Sequence, residues 1–194
     1  MSKSIDFYFD FISPYSYLAN KKIETIKEKI EINFNYKPVL VGGLHNLQGI
    51  MAPAFIKPKL KHMISDCDLI AKKIKTDFIW NSKFPINSLN IMRGYLFVNE
   101  EARDLYLNVI FNAYWKDNLD ISNEEILKSL LEKCKIDANS FFDGIKDPKI
   151  KDRLKSNTQQ AHDKEVFGAP TFIVNNKIFW GQDRLEFALD EYNK

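Results

Sequence analysis

The sequence predicts an α/β fold in which a long helical segment interrupts a small β-sheet. Three observations support this prediction: a strand-helix-strand pattern opens the chain, a helical stretch without strong strands follows, and two short strands with a helix close it. At 194 residues, the chain suits one domain, or one domain carrying a large insertion, with ample material for a hydrophobic core.

The opening elements follow from local patterns. Residues 5–9 are mostly apolar and aromatic, which is typical of a buried strand. From Pro14 to about residue 30, apolar residues recur near the helical period, and the first helical turn is where a helix tolerates proline best. Residues 32–41 alternate apolar and polar side chains, which predicts a second strand ending near Pro38. We therefore expect a β-α-β unit with a parallel strand pair.

The middle of the chain, residues 43–158, is predicted to be helical. Its apolar residues follow the helical period in several pieces, and no strand signal there matches the strength of the first one. One helix start is indicated by Ser122 with Glu125 three residues later, which is a capping-box signature. We therefore expect an all-helical insertion.

After residue 158 the pattern returns to strands. Residues 171–174 and 178–180 predict two strands joined by a tight turn, and a last helix is expected from about Arg184 to Glu191. The complete order is that of a thioredoxin-like fold. Residues 1–42 and 159–194 would form the thioredoxin-like domain, and residues 43–158 the inserted helical domain.

Composition argues against several classes of function. Lys and Arg number 28 against 26 Asp and Glu, so the net charge of +2 is too balanced to indicate a nucleic-acid or membrane partner. The two cysteines, Cys67 and Cys134, are expected to be reduced, and neither they nor the three histidines have the spacing of metal ligands. No apolar run approaches a membrane span and no signal peptide precedes Asp6, so we expect a cytoplasmic protein without a metal.

The first candidate site residue is Ser13, at the predicted junction of the first strand and the first helix. A hydroxyl in such a place often acts only as a helix N-cap. The junction also exposes backbone N–H groups and the positive end of the helix dipole, which stabilise an anion. A thiolate held there would receive a hydrogen bond from Ser13, and its pKa would fall toward neutrality.

The second candidate is the pair Ala169 and Pro170, just before the third predicted strand. Because proline is usually confined to the first residue or the edge of a strand, the pair could simply mark a loop end. If the peptide bond between them is cis, Ala169 turns its N–H and C=O outward, where they could pair with an extended peptide.

The third candidate is the segment that begins at Trp180 and precedes the last helix. Within it, Asp183 could be a simple N-cap and Arg184 a surface cation. In a cleft, the same pair would offer a carboxylate to an ammonium group, while the helix end offers N–H groups to a carboxylate. A ligand that bears both an ammonium and a carboxylate group would fit this description.

Together, the motifs FYFDFISPYSYLAN, VFGAPTF and FWGQDRLEF resemble the family of 2-hydroxychromene-2-carboxylate isomerases and kappa-class glutathione transferases, within the DsbA-like branch of thioredoxin folds. The likeness runs from about residue 5 to 190. It implies that Ser13 hydrogen-bonds the thiolate of bound glutathione and that Ala169, before a cis-Pro170, pairs with the glutathione backbone. The residues implied to hold the γ-glutamyl end are Trp180, Gly181, Gln182, Asp183 and Arg184.

The resemblance implies a glutathione-dependent isomerase. In that family the thiolate adds to a chromene carboxylate, the ring opens, the freed carbon–carbon bond rotates, and glutathione leaves. A kappa-class-like transferase acting on small aromatic or electrophilic substrates is the alternative, and a non-catalytic peptide- or thiol-binding module is an alternative of another class. Ser13 and Ser16 occupy the positions of a C-x-x-C dithiol, so thiol-disulfide exchange is not expected. A homodimer is also implied.

Substrate contacts are expected from the region that follows the second strand. His45 lies in a loop that substrate would approach, and Lys59 and Lys61 are candidate charged contacts. Apolar Phe55 and Ile56 stand where polar, cationic contacts to a substrate carboxylate would be expected. This departure argues against the chromene substrate and leaves the glutathione site unaffected.

Overall fold

The computed structural model describes residues 3–194, so the first two residues of the predicted segment 1–42 lie outside it. Four strands form one sheet in the order β2-β1-β3-β4. The strands are β1 (Ile5–Phe9), β2 (Phe34–Pro38), β3 (Thr171–Val174) and β4 (Lys177–Trp180). β1 pairs parallel with β2 and antiparallel with β3, which pairs antiparallel with β4. This topology confirms the predicted thioredoxin-like order.

Helices fill the middle of the chain, as the sequence predicts. In the described residues the α-helices are α1 (Pro14–Lys27), α2 (Val41–Leu47), α3 (Lys57–Lys73), α4 (Leu89–Phe97), α5 (Glu100–Trp115), α6 (Glu124–Lys133), α7 (Ala138–Gly144), α8 (Pro148–Asp163) and α9 (Leu185–Tyr192). Short 3-10 turns cover Pro53–Phe55 and Gln182–Arg184. All the helices from α2 to α8 lie between β2 and β3.

The predicted capping box at the start of α6 is wrong. The cap is Asn123, whose side-chain oxygen accepts hydrogen bonds from the N–H groups of Glu125 and Ile126 at 3.0 and 3.1 Å. The hydroxyl of Ser122 donates instead to the carboxylate of Asp120. Asparagine and serine are equally good caps, so the pattern located the helix start to within one residue.

One large apolar core joins the sheet to the helical segment. Phe7 on β1 stacks on Phe172 of β3 with ring centroids 5.2 Å apart. Phe9 meets the ring edge of Tyr95 on α4 at 5.1 Å. Tyr8 faces the opposite side of the sheet, where α2 and α8 cover it. The alternation of side chains along β1 therefore places α4 and α5 against one face of the sheet and α2 and α8 against the other.

The segment between β1 and α1 is fixed by a tryptophan from the helical insertion. Trp115, at the end of α5, is fully buried, and its indole N–H donates to the C=O of Phe11 at 2.8 Å. Its ring stacks on Phe78 with centroids 5.7 Å apart. Because buried polar groups need partners, this hydrogen bond ties the segment that carries Ser13 to the insertion.

Candidate active site

Ser13 caps α1, as its position in the sequence predicts. Its side-chain oxygen accepts a hydrogen bond from the N–H of Ser16 at 3.1 Å, and Pro14 occupies the first helical turn. The hydroxyl donates to the C=O of Ala169 at 2.8 Å. Ser13 is 7% exposed, and its own N–H closes a turn with the C=O of Asp10 at 3.0 Å. Two predicted site motifs, 156 residues apart in sequence, are therefore in direct contact.

The peptide bond between Ala169 and Pro170 is cis. The C=O of Ala169 points toward Ser13 and accepts its hydroxyl hydrogen, so this group is paired within the chain. The sequence predicts that the N–H and C=O of Ala169 both face outward. In this structure the C=O instead faces Ser13. The oxygen can still accept from a ligand, since a carbonyl has two lone pairs.

A large cavity of about 1060 Å³ opens beside this contact. Its walls come from the start of α1, the segment from α2 to α3, residues 84–89, and the loop that ends at Ala169. The wall is mostly apolar and includes Phe55, Met63, Phe167 and Trp180. A cavity of this volume and lining accommodates a small organic ligand beside Ser13.

The polar side chains in the wall are few. Those that titrate are Asp10, Tyr15, His45, Lys59 and His62. Burial lowers the pKa of His45, so its imidazole is neutral at pH 7. Of the two predicted lysine contacts, Lys59 lines the cavity, whereas Lys61 lies on α3 outside the lining.

The predicted γ-glutamyl segment extends away from the cavity. Trp180 belongs to the cavity wall, whereas Gly181, Gln182, Asp183 and Arg184 lie outside its lining. Asp183 and Arg184 are exposed and form an ion pair at 3.5 Å. Gln182 is buried, and its side-chain oxygen accepts a hydrogen bond from Lys22 of α1. Burial lowers the pKa of that lysine.

Asp10 is a cavity residue that the sequence analysis does not identify as part of the site. It is 1% exposed, and it lines the same cavity as Ser13. Its two carboxylate oxygens accept from the N–H groups of Val41 at 2.9 Å and Ile12 at 3.2 Å. Burial raises its pKa to about 6, against the opposing effect of these N–H groups and of the neighbouring Ser88 side chain. The sequence feature that could have identified Asp10 is its position, directly after a buried strand and three residues before Ser13.

Two negative findings apply to residues 3–194. No group of three or more His, Cys, Asp or Glu side chains there is arranged to hold a metal ion. None of the helices in this range combines the length and the apolar character that crossing a bilayer requires.

Comparison with known proteins identifies the family. The chain is 29% identical to the 2-hydroxychromene-2-carboxylate isomerase of Sphingobium xenophagum, over 99% of this chain and 98% of that protein. It is 24% identical to glutathione S-transferase kappa 1 of Homo sapiens, over 96% of this chain and 89% of that protein. A solved structure of a 2-hydroxychromene-2-carboxylate isomerase matches with a TM-score of 0.88 at 26% identity, covering 96% of this chain and 92% of that one. The DSBA-like thioredoxin domain matches residues 4–193, so this chain belongs to the DsbA-like thioredoxin family.

Proposed function

We propose that this protein is a glutathione-dependent enzyme of the isomerase or transferase type, in which the Ser13 hydroxyl donates to the sulfur of bound glutathione. The observation that carries the proposal is the position of Ser13. It caps the N-terminus of a 14-residue helix, lines a large apolar cavity and contacts the loop of the cis-proline. A sulfur anion at this point gains both the hydroxyl and the positive helix end.

The residues present fit glutathione in their donors and acceptors. Ser13 offers a hydroxyl for the sulfur, and Ala169 offers backbone groups for the peptide. Asp183 and Arg184 offer opposite charges for the ammonium and carboxylate of the γ-glutamyl end. When bound, glutathione supplies a thiol whose anion is the nucleophile. Ser13 would turn its hydrogen from the C=O of Ala169 to the sulfur.

An isomerase is the first candidate activity, supported by the 29% identity to an isomerase over almost the whole chain. A transferase acting on uncharged electrophiles is the second candidate, and the cavity favours it. Phe55 is 68% exposed in the cavity wall, and His45 is neutral, so few groups there stabilise a substrate carboxylate. Parallel assays of chromene-carboxylate isomerisation and of conjugation to an uncharged aryl halide distinguish the two.

The glutathione site is tested by titration with glutathione while the ultraviolet absorbance of the thiolate is followed across pH. For the wild type we expect micromolar-range binding and a bound-thiol pKa below the ordinary value of about 8.5. Ser13→Ala should raise that pKa by about one to two units, because a hydrogen bond to a charged group contributes roughly 1.5–3 kcal/mol.

Ser16→Ala is the matched control for this titration. The Ser16 hydroxyl is fully buried and makes no hydrogen bond to the described residues, so its removal leaves the Ser13 contacts in place. We expect a bound-thiol pKa equal to that of the wild type. Absence of binding at millimolar glutathione would refute the proposal and favour a non-catalytic module.

A further inference from the structure

Asp10 is a buried carboxyl that the proposed function does not yet use. It lies at the meeting point of four segments: the end of β1, the start of α1 through the turn to Ser13, α2 through Val41, and the start of α4 through Ser88. It is 1% exposed, yet it belongs to the cavity wall. A ligand beside Ser13 therefore lies in the same apolar cavity as this carboxyl.

The cavity wall contains few charges that could balance a second anion. Besides Asp10, its titratable side chains are Tyr15 from α1, His45 from α2, and Lys59 and His62 from α3. The Tyr15 hydroxyl already donates to Asp66 at 2.8 Å, and His45 is neutral. Lys59 is exposed, so water screens its charge.

Two anions close together in an apolar site oppose each other, and one of them takes up a proton. Asp10 and Ser13 are the two ends of one tight turn and both line the cavity, so a sulfur bound at Ser13 shares its apolar surroundings with the carboxyl. The burial that raises the pKa of Asp10 to about 6 brings this carboxyl near the range in which a helix-end thiolate titrates.

We propose that Asp10 and the thiol bound beside Ser13 share one exchangeable proton, so that the carboxyl is neutral whenever the sulfur is an anion. In this exchange the S–H bond breaks and an O–H bond forms on Asp10, and the net charge of the cavity stays the same. Asp10 gives the proton back when the sulfur is protonated again. The inference rests on the proposed glutathione site and adds a proton-holding residue to it.

The test is a proton count. Calorimetric titration with glutathione near pH 7, in buffers of different ionisation enthalpy, gives the protons released per glutathione bound. The thiolate absorbance gives the anions formed. In the wild type, we expect clearly fewer protons released than thiolates formed, because Asp10 retains the proton. In Asp10→Asn, the ratio should rise to about one.

The Asp10→Asn variant should also change the ionisation of the bound thiol. Asp10→Asn removes the state in which Asp10 is ionised and the sulfur keeps its proton, so a larger fraction of the bound thiol should be thiolate at about pH 8 than in the wild type. A carboxyl that only held the loops together would give no change, or a weaker site with a higher thiol pKa. A wild-type ratio of one proton released per thiolate formed, or an unchanged thiolate fraction at about pH 8 in Asp10→Asn, would overturn the proposal.

Control variants separate Asp10 from its neighbours. Asp6→Asn changes a half-buried aspartate on β1, the strand that precedes Asp10; Asp6 lies outside the cavity, so the variant should keep the wild-type ratio of protons released to thiolates formed. His45→Gln removes another candidate base of the wall. If His45→Gln, and not Asp10→Asn, brings the number of protons released per thiolate formed to one, Asp10 is not the residue that holds the proton.

Ser88→Ala keeps the proposal testable if Asp10→Asn fails to fold. The Ser88 side chain lowers the pKa of Asp10, so removal of its hydroxyl should raise the pH up to which Asp10 retains the proton. Absence of that shift would count against the proposal. The proposed function fails separately, when wild-type protein shows no thiolate absorbance with glutathione.

Discussion

Single residues decide how this protein responds to pH, and Asp10 is the clearest case. Its pKa is about 6 in the folded chain against an ordinary 3.8, because it is buried. Proton binding therefore favours the folded state. The contribution of Asp10 to stability is fully present below about pH 4 and is lost as the pH rises through about 6. The difference between the folded and the ordinary pKa of Asp10 corresponds to roughly 3 kcal/mol in the free energy of unfolding.

Urea unfolding of the wild type and Asp10→Asn at about pH 4 and about pH 8 measures this contribution. We expect the free energy of unfolding of the wild type, relative to the variant, to fall between the two pH values. The comparison with the variant removes the effects of the other carboxyl groups. A relative stability that does not change with pH would contradict a raised pKa for Asp10.

Gly168 controls the position of Trp180 at the cavity. A Cβ atom on Gly168 would lie 2.8 Å from the indole nitrogen of Trp180, which is too close. Trp180 is 53% exposed and packs on Phe167 at 4.9 Å, so its ring can move away. We expect Gly168→Ala to weaken glutathione binding several-fold, with a stability loss within about 1 kcal/mol.

Quenching of tryptophan fluorescence by acrylamide reports this displacement, since Trp180 is exposed, whereas Trp80 is half-buried and Trp115 is fully buried. Gly42→Ala is the control because a Cβ atom there meets nothing within 4 Å. It should leave the quenching unchanged. Equal quenching in Gly168→Ala and the wild type would show that Trp180 keeps its place.

Among the elements, α5 holds the site segment through one hydrogen bond. Trp115→Phe keeps an aromatic ring in the core and leaves the buried C=O of Phe11 without its partner. We expect a loss of roughly 1–3 kcal/mol in the free energy of unfolding, together with a weaker glutathione site. Trp180→Phe, at an exposed indole that makes no comparable buried bond, should cost much less stability. Equal losses in the two variants would contradict this role.

The elements also show what the sequence could predict. The order of strands and helices along the chain, the helical middle and the cap at Ser13 follow from periodicity and from short local motifs, so they were predictable. The bond from Trp115 to Phe11 joins residues 104 positions apart, and the bond from Asp10 to Val41 spans 31. No local pattern encodes such pairings, because they arise only when the packed helices bring the segments together.

The whole molecule should unfold in one step, although its sequence predicts two domains. The main apolar core is continuous from Ile5 on β1 to Ala188 on α9 and includes buried residues of α4, α5, α6 and α7. An insertion that shares its core with the sheet cannot lose its structure without exposing apolar surface on both parts.

Thermal or urea unfolding, followed in parallel by far-ultraviolet circular dichroism and by tryptophan fluorescence, tests this expectation. In Trp180→Phe the remaining Trp80 and Trp115 report on the insertion, whereas circular dichroism also reports on α1 and α9. Coincident transitions are expected. A fluorescence transition that precedes the loss of the remaining helices would show that residues 43–158 unfold as a separate domain. In that case the site segment held by Trp115 would lose its support before the sheet unfolds, and glutathione affinity would fall with the first transition.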